Sequence, residues 1–167
     1  MRALTVRQPW AGAIAHAGKT IENRVQRWSY RGPVLIHSGA TIDRAARKHP
    51  PLAAVIRGLH LDQRAVIAVA RIVDCHADDG ECTPWSLPGH YHYVLTDVTP
   101  LPLPVPHARG QLGLWIPPAE LVARVRLQLD DGTAARLLDE EGFWCPEGAP
   151  CHARVLAEPA DTAEVSG

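Results

Sequence analysis

Gly18-Lys19-Thr20-Ile21-Glu22-Asn23-Arg24 sets an ammonium, a carboxylate and a guanidinium within six residues, on a turn that runs into a strand-like stretch. Strand periodicity of two sends Glu22 and Arg24 to one face, where they can pair, while Lys19 sits just outside the regular segment and points independently. Such a grouping is costly unless it is solvated or used. A lysine beside a glutamate can hold a phosphate, or act as one half of an acid–base pair when burial shifts the two groups.

Working outward, residues 2–6 read as a short strand, and Gln8-Pro9 starts a new element because proline suits a helix's first turn. Residues 10–17 have the composition of one short helix, and Gly18 supplies its left-handed stop. Residues 20–27 alternate as a strand, Ser29-Tyr30-Arg31-Gly32-Pro33 is a turn, and Val34-Leu35-Ile36-His37 is an apolar strand, so the chain opens β-α-β-β. Residues 41–59 are helical in pattern but broken at Pro50-Pro51, which predicts two short helices.

Residues 65–73 and 91–98 are rich in the β-branched and aromatic residues of buried strands. Prolines at 100, 102, 104 and 106 then alternate with apolar residues, predicting an extended edge or polyproline segment. Residues 113–116 are expected to close the sheet, residues 118–125 and 133–141 to be helical, and residues 142–146 to be loop. Strands interleaved with few helices indicate an α+β barrel or small sheet. No fixed-period repeat is present.

The same stretch resembles the signature G-x-K-x-x-E-x-R of the ASCH domain family, a branch of the PUA-like barrels, with Gly18, Lys19, Glu22 and Arg24 at all of its fixed positions. The likeness extends to Gln8-Pro9-Trp10, Tyr30-Arg31-Gly32, Ile36-His37, Tyr91-His92-Tyr93-Val94-Leu95 and Gly110-Gln111-Leu112-Gly113-Leu114-Trp115. It implies an α+β, PUA-like small β-barrel of five or six strands with short peripheral helices over residues 1–125. A helical and loop extension, 126–156, is then expected to pack on the barrel, with a disordered acidic tail at 157–167.

By the same resemblance, the signature residues line a cleft for single-stranded RNA or a modified nucleoside or nucleotide. Trp10, Lys19, Glu22, Arg24 and Arg31 are the expected ligand-binding residues. Lys19 and Arg31 would hold phosphate or a base-edge oxygen, Arg24 would hold Glu22, and Trp10 would wall the pocket. Some small family members resemble hydrolases of acylated cytidine or ribonucleases, and in that alternative Lys19 and Glu22 are the catalytic pair. Those small amidohydrolase-like members tend to carry a hydroxyl residue where this chain has Glu22.

Charge supports an anionic partner. Residues 1–64 carry 11 Lys or Arg against 3 acids, whereas the rest carries 6 against 15, within a net charge of -1. At 167 residues, 46% hydrophobic and 21% charged, the chain is expected to be one globular unit rather than a filament or a disordered polymer. No run reaches the roughly 18 apolar residues of a membrane span, and Arg2 and Arg7 interrupt any signal-like start, so a cytoplasmic protein without a membrane partner is expected. Nothing in the sequence bears on oligomeric state.

Other candidates are weaker. The tryptophans at 10 and 85 could stack on a base, and Trp115 reads as core. His37, His90 and His92 could supply a general base, His90 and His92 lying on one face if both sit in the strand. The cysteines fall in two groups, Cys75 and Cys82 with His76, and Cys145 and Cys151 with His152. Their spacing lacks a tight C-x-x-C, so reduced thiols and no cofactor are the expectation, with a structural zinc through Cys75, Cys82, Cys145 and Cys151 as the alternative.

Overall fold

The computed structural model describes residues 1–144 apart from 49–51, 54, 55 and 81. A curled mixed sheet forms a half-barrel in the order β2-β5-β4-β3-β1-β6. Its strands are β1 (Arg2–Gln8), β2 (Ile21–Arg24), β3 (Tyr30–Ile42), β4 (Ala65–Ala77), β5 (Tyr91–Pro106) and β6 (Leu114–Trp115). Helix α1 (Trp10–His16) links β1 to β2. After β6 come α2 (Ala119–Arg126) and α3 (Asp131–Ala134), the latter continuing as a π-helical turn over Ala135–Asp139. This is the α+β small barrel expected from the sequence.

The long strands are apolar at consecutive positions because both faces of the sheet are covered. Val34 and Ile36 join α1's Ala11 and Ile14 in one core, with Ala68, Ala70 and Ile72 of β4. Leu35, Val66 and Val69 face the other way, against Leu121 and Val125 of α2 and Leu137 and Leu138 beyond α3. Alternation along β3 and β4 thus feeds two cores. The sequence signal covered only residues 34–37 of β3: Tyr30 to Pro33, expected as a turn, are strand residues paired with β4 and with Phe143 and Trp144, and the far end, from Ser38 to Ile42, lies beyond the apolar run.

Of the two forms expected for the proline-rich stretch, the extended edge is the one found: it completes β5, where Pro100 pairs with Ala68 and Pro106 with Ala65. β2 pairs only with residues Tyr91 to Val94, so this half of β5 is an edge, where missing N–H donors cost no ladder bond. Residues 143–144, expected as loop, form a two-residue strand β7 (Phe143–Trp144) on Tyr30 and Arg31 of β3. Between β3 and β4 a 3₁₀ turn covers Ala45–Lys48, and the expected Pro50-Pro51 break lies outside the described residues. The expected tail, 157–167, lies outside them too.

β1 and β3 run parallel, Arg2 opposite Val34 and Val6 opposite Ser38, so the α1–β2 excursion is a crossover that leaves β2 at the far end of the sheet. The two ends of the strand order, β2 and β6, do not pair, and β2 stands across a gap from the end of β1. Arg24 of β2 reaches across it, its Nη2 donating to Thr5 O of β1 at 2.7 Å.

Candidate functional site

The gap is a cleft of about 590 Å³. Its walls come from the end of β1, the start of α1, the Lys19–Arg24 stretch, the end of β3, and the loops preceding β5 and β6. Trp10, Lys19, Glu22 and Arg24, all singled out from sequence, line it together.

Local structure explains how Lys19 gets there. Gly18 takes φ +67°, a conformation glycine adopts at little cost, and so ends α1. The Lys19 N–H then bonds back to Ala13 O at 3.1 Å. The lysine is therefore turned inward, and it is only 1% exposed. Its Nζ donates to Ile21 O and, at 3.2 Å, to Glu22 Oε2, and it stands 5.9 Å from the centre of the Trp10 ring.

Glu22 is held on its other oxygen by Arg24, whose Nε lies 3.0 Å from Oε1. That contact is an ion pair rather than a hydrogen bond, since Nε has no aligned acceptor. The Arg24 guanidinium also lies over Trp28, 5.7 Å from the ring centre. Burial pulls the Lys19 ammonium below its ordinary 10.5, with Glu22 opposing the shift and Arg24 adding to it. A desolvated lysine with a paired carboxylate in a cleft is the kind of perturbed group that marks functional sites.

Trp10 is fixed edgewise. Its Nε1 donates to Asp43 Oδ2 at 3.1 Å, and this hydrogen bond is the main reason the Asp43 carboxyl is held below its usual range. Along the lining, Arg7, Lys19 and Arg24 outnumber Glu22 and Asp43, so the cleft favours an anion.

Arg31 lies elsewhere. It is 1% exposed, its Nη1 donates to Trp28 O and Tyr30 O, and its Nη2 is 3.7 Å from Asp74 Oδ1. It holds the start of β3 against β4 and is not among the cleft residues. Arg31 was expected to hold phosphate or a base-edge oxygen, and its burial was not foreseen because arginine is seldom buried. The cation that does reach the cleft mouth is the exposed Arg7, which carried no sequence signal beyond its charge.

Asn23, between Glu22 and Arg24, was also missed. Its Nδ2 donates to Trp85 O at 2.8 Å and its Oδ1 accepts from Leu87 N at 2.9 Å, fastening the loop before β5 as one cleft wall. Trp85 packs beside Ala13, Ala46 and Leu52, and Trp115 is core, its Nε1 bonded to Thr5 Oγ1 at 3.1 Å.

The three histidines do not converge. His90 lines the cleft just before β5 begins, His37 is buried behind Thr5, and His92 is fully buried in a different cluster. The expectation that His90 and His92 share a face fails because His90 precedes the strand. The His92 cluster contains His76 and Cys82, whose ligand atoms all lie within 4.8 Å of one another. Cys75 belongs instead to the first core, while Cys145, Cys151 and His152 lie outside the described residues.

A family model, that of the ASCH domain, matches residues 4–94, more than half of the 167-residue chain. The match contains the whole signature and the strands that carry it. No curated protein matches the chain.

Proposed function

Since the chain belongs to the ASCH domain family, we propose that its cleft takes a nucleotide unit, presented by single-stranded RNA or carried by a modified nucleoside or nucleotide. One observation carries the reading: Lys19, Glu22 and Arg24 line one cation-rich cleft together with an anchored tryptophan. Trp10 offers a stacking surface, worth roughly 1–3 kcal/mol per base. The Glu22 carboxylate, with more lone pairs than its two cations use, accepts from a base amino group. Lys19 gives its remaining donor to a base-edge oxygen, and Arg7 meets phosphate at the mouth.

The test is fluorescence anisotropy of labelled single-stranded RNA with wild type and Lys19→Ala, at low and physiological salt. The expected result is salt-dependent binding that the substitution weakens while the protein stays folded. Equal binding by both proteins would contradict it.

A second reading rests on the desolvated Lys19 beside Glu22. In it the cleft hydrolyses an acylated cytidine or RNA, with the lysine and glutamate as acid and base. It requires turnover, and a pH–rate profile altered by Glu22→Gln.

A further inference from the structure

Cys82 is approached by two imidazoles at once. His76 Nε2 lies 3.1 Å from its Sγ and His92 Nδ1 lies 2.9 Å from it. Each ring is held from behind: His76 Nδ1 is 3.0 Å from Asp74 Oδ2, and His92 Nε2 is 3.0 Å from Leu87 O. A carbonyl and a carboxylate only accept, so the far nitrogen of each ring carries a hydrogen, and in the neutral imidazole the near nitrogen presents a lone pair to the sulfur. Asp79 Oδ1 is a further acceptor, 3.3 Å from the same sulfur. One thiol hydrogen is shared among three acceptors.

We propose that His76, Cys82 and His92 bind a zinc ion. A divalent cation answers the deficit directly, taking a thiolate and two imidazole lone pairs in place of the single hydrogen. One soft and two borderline ligands suit zinc among the divalent metals. The backing of each histidine by a carboxylate or carbonyl is the outer-shell arrangement that orients metal-ligating imidazoles. Zinc with Zn–S of about 2.3 Å and Zn–N of about 2.0 Å sets tetrahedral S···N separations near 3.5 Å. The present separations are a few tenths shorter, so Cys82, on the loop after β4, moves back by that much as the ion enters. A fourth position is left for water.

The three ligands come from β4, the loop after it and β5, so the ion fastens that loop to the sheet. The fastening continues to the cleft: His92 bonds Leu87 O, and Leu87 N bonds Asn23, the neighbour of Glu22 and Arg24. The reaction or binding in the cleft is not routed through the metal, because Cys82 is not among the cleft residues. Metal binding by this cluster is therefore independent of nucleotide binding in the cleft.

The test is cobalt(II) titration of the metal-free full chain, followed by thiolate-to-cobalt charge-transfer absorption, with zinc content of the purified protein as a second readout. Wild type and Cys75→Ala are expected to bind a single ion and give the band, and zinc is expected to displace the cobalt. Cys82→Ala is expected to lose the band, and chelator is expected to lower the melting temperature of wild type but not of this variant. Absence of the band in wild type, or its full retention in Cys82→Ala, overturns the proposal. Should Cys82→Ala not fold, the band in wild type together with its loss in His92→Gln decides the matter.

Discussion

Lys19 Nζ stands 3.2 Å from Glu22 Oε2, the two side chains being 1% and 8% exposed. Arg24 holds the second oxygen, so one buried carboxylate is shared by two cations. Cations taken out of water here lose hydration that the carboxylate only partly returns. The cleft is thereby left with an excess of positive charge and unused acceptor capacity, both available to a ligand.

Lys19→Met removes one cation and leaves Glu22 with Arg24 alone. A loss of about 1.5–3 kcal/mol in unfolding free energy is expected, the range for hydrogen bonds to charged groups. Lys19→Met/Glu22→Gln should cost less than the two single changes together, by about 0.5–3 kcal/mol. Urea denaturation of the four proteins in the cycle measures this, and strict additivity would mean that the two groups do not interact.

His37 is 1% exposed, bonded through Nε2 to His107 O at 2.9 Å. Burial depresses its pKa from the ordinary 6.5, the hydrogen bond to His107 opposing only part of the shift. Between that depressed value and 6.5 the unfolded chain binds a proton that the folded chain does not. The cost of charging His37 is therefore absent above 6.5 and fully present below the folded value, so stability falls as pH drops through that window. His37→Gln should flatten this part of the stability–pH curve; an unchanged slope would assign the acid sensitivity to other groups.

Arg31→Met removes the guanidinium that bonds Trp28 O and Tyr30 O and leaves Asp74 with His76. Hydrogen bonds to a charged group are worth about 1.5–3 kcal/mol. Denaturation should show a loss of that order, while ligand affinity of the folded fraction stays near wild type. A selective loss of affinity at full stability would place Arg31 in the binding machinery after all.

Gly110 packs where a Cβ would lie 2.3 Å from Thr5 Oγ1 and 2.6 Å from His37 Nδ1. Neither neighbour is the far end of a flexible chain, so the loop before β6 must move. Gly110→Ala should destabilise by about 1–3 kcal/mol, the usual range for overpacking. A wild-type denaturation midpoint would show that the loop shifts freely.

What the sequence made legible was local. The Gly18 stop, the alternation after it and the apolar runs of β3 and β4 each follow from a few neighbouring residues, and together they place Lys19, Glu22 and Arg24. What it hid depended on distant partners. The choice between edge strand and polyproline after Thr99 was settled by β2, which is too short to reach the prolines of β5. Phe143 and Trp144 become a strand by pairing with β3, more than a hundred residues earlier. Arg31 is buried because Asp74 of β4 meets it, and His76, Cys82 and His92 converge only once β4 and β5 pair.

The most direct test of the nucleotide cleft is a nuclear magnetic resonance titration of the ¹⁵N-labelled protein with a short single-stranded RNA and with cytidine monophosphate. The five tryptophans give separate indole N–H signals, and Trp10→Phe assigns the one in the cleft. The account predicts that the Trp10 indole and the Asn23 side-chain amide shift on addition, while the core indole of Trp115 stays in place. Unmoved Trp10 and Asn23 signals with both ligands, or shifts confined to tryptophans outside the cleft, would contradict it.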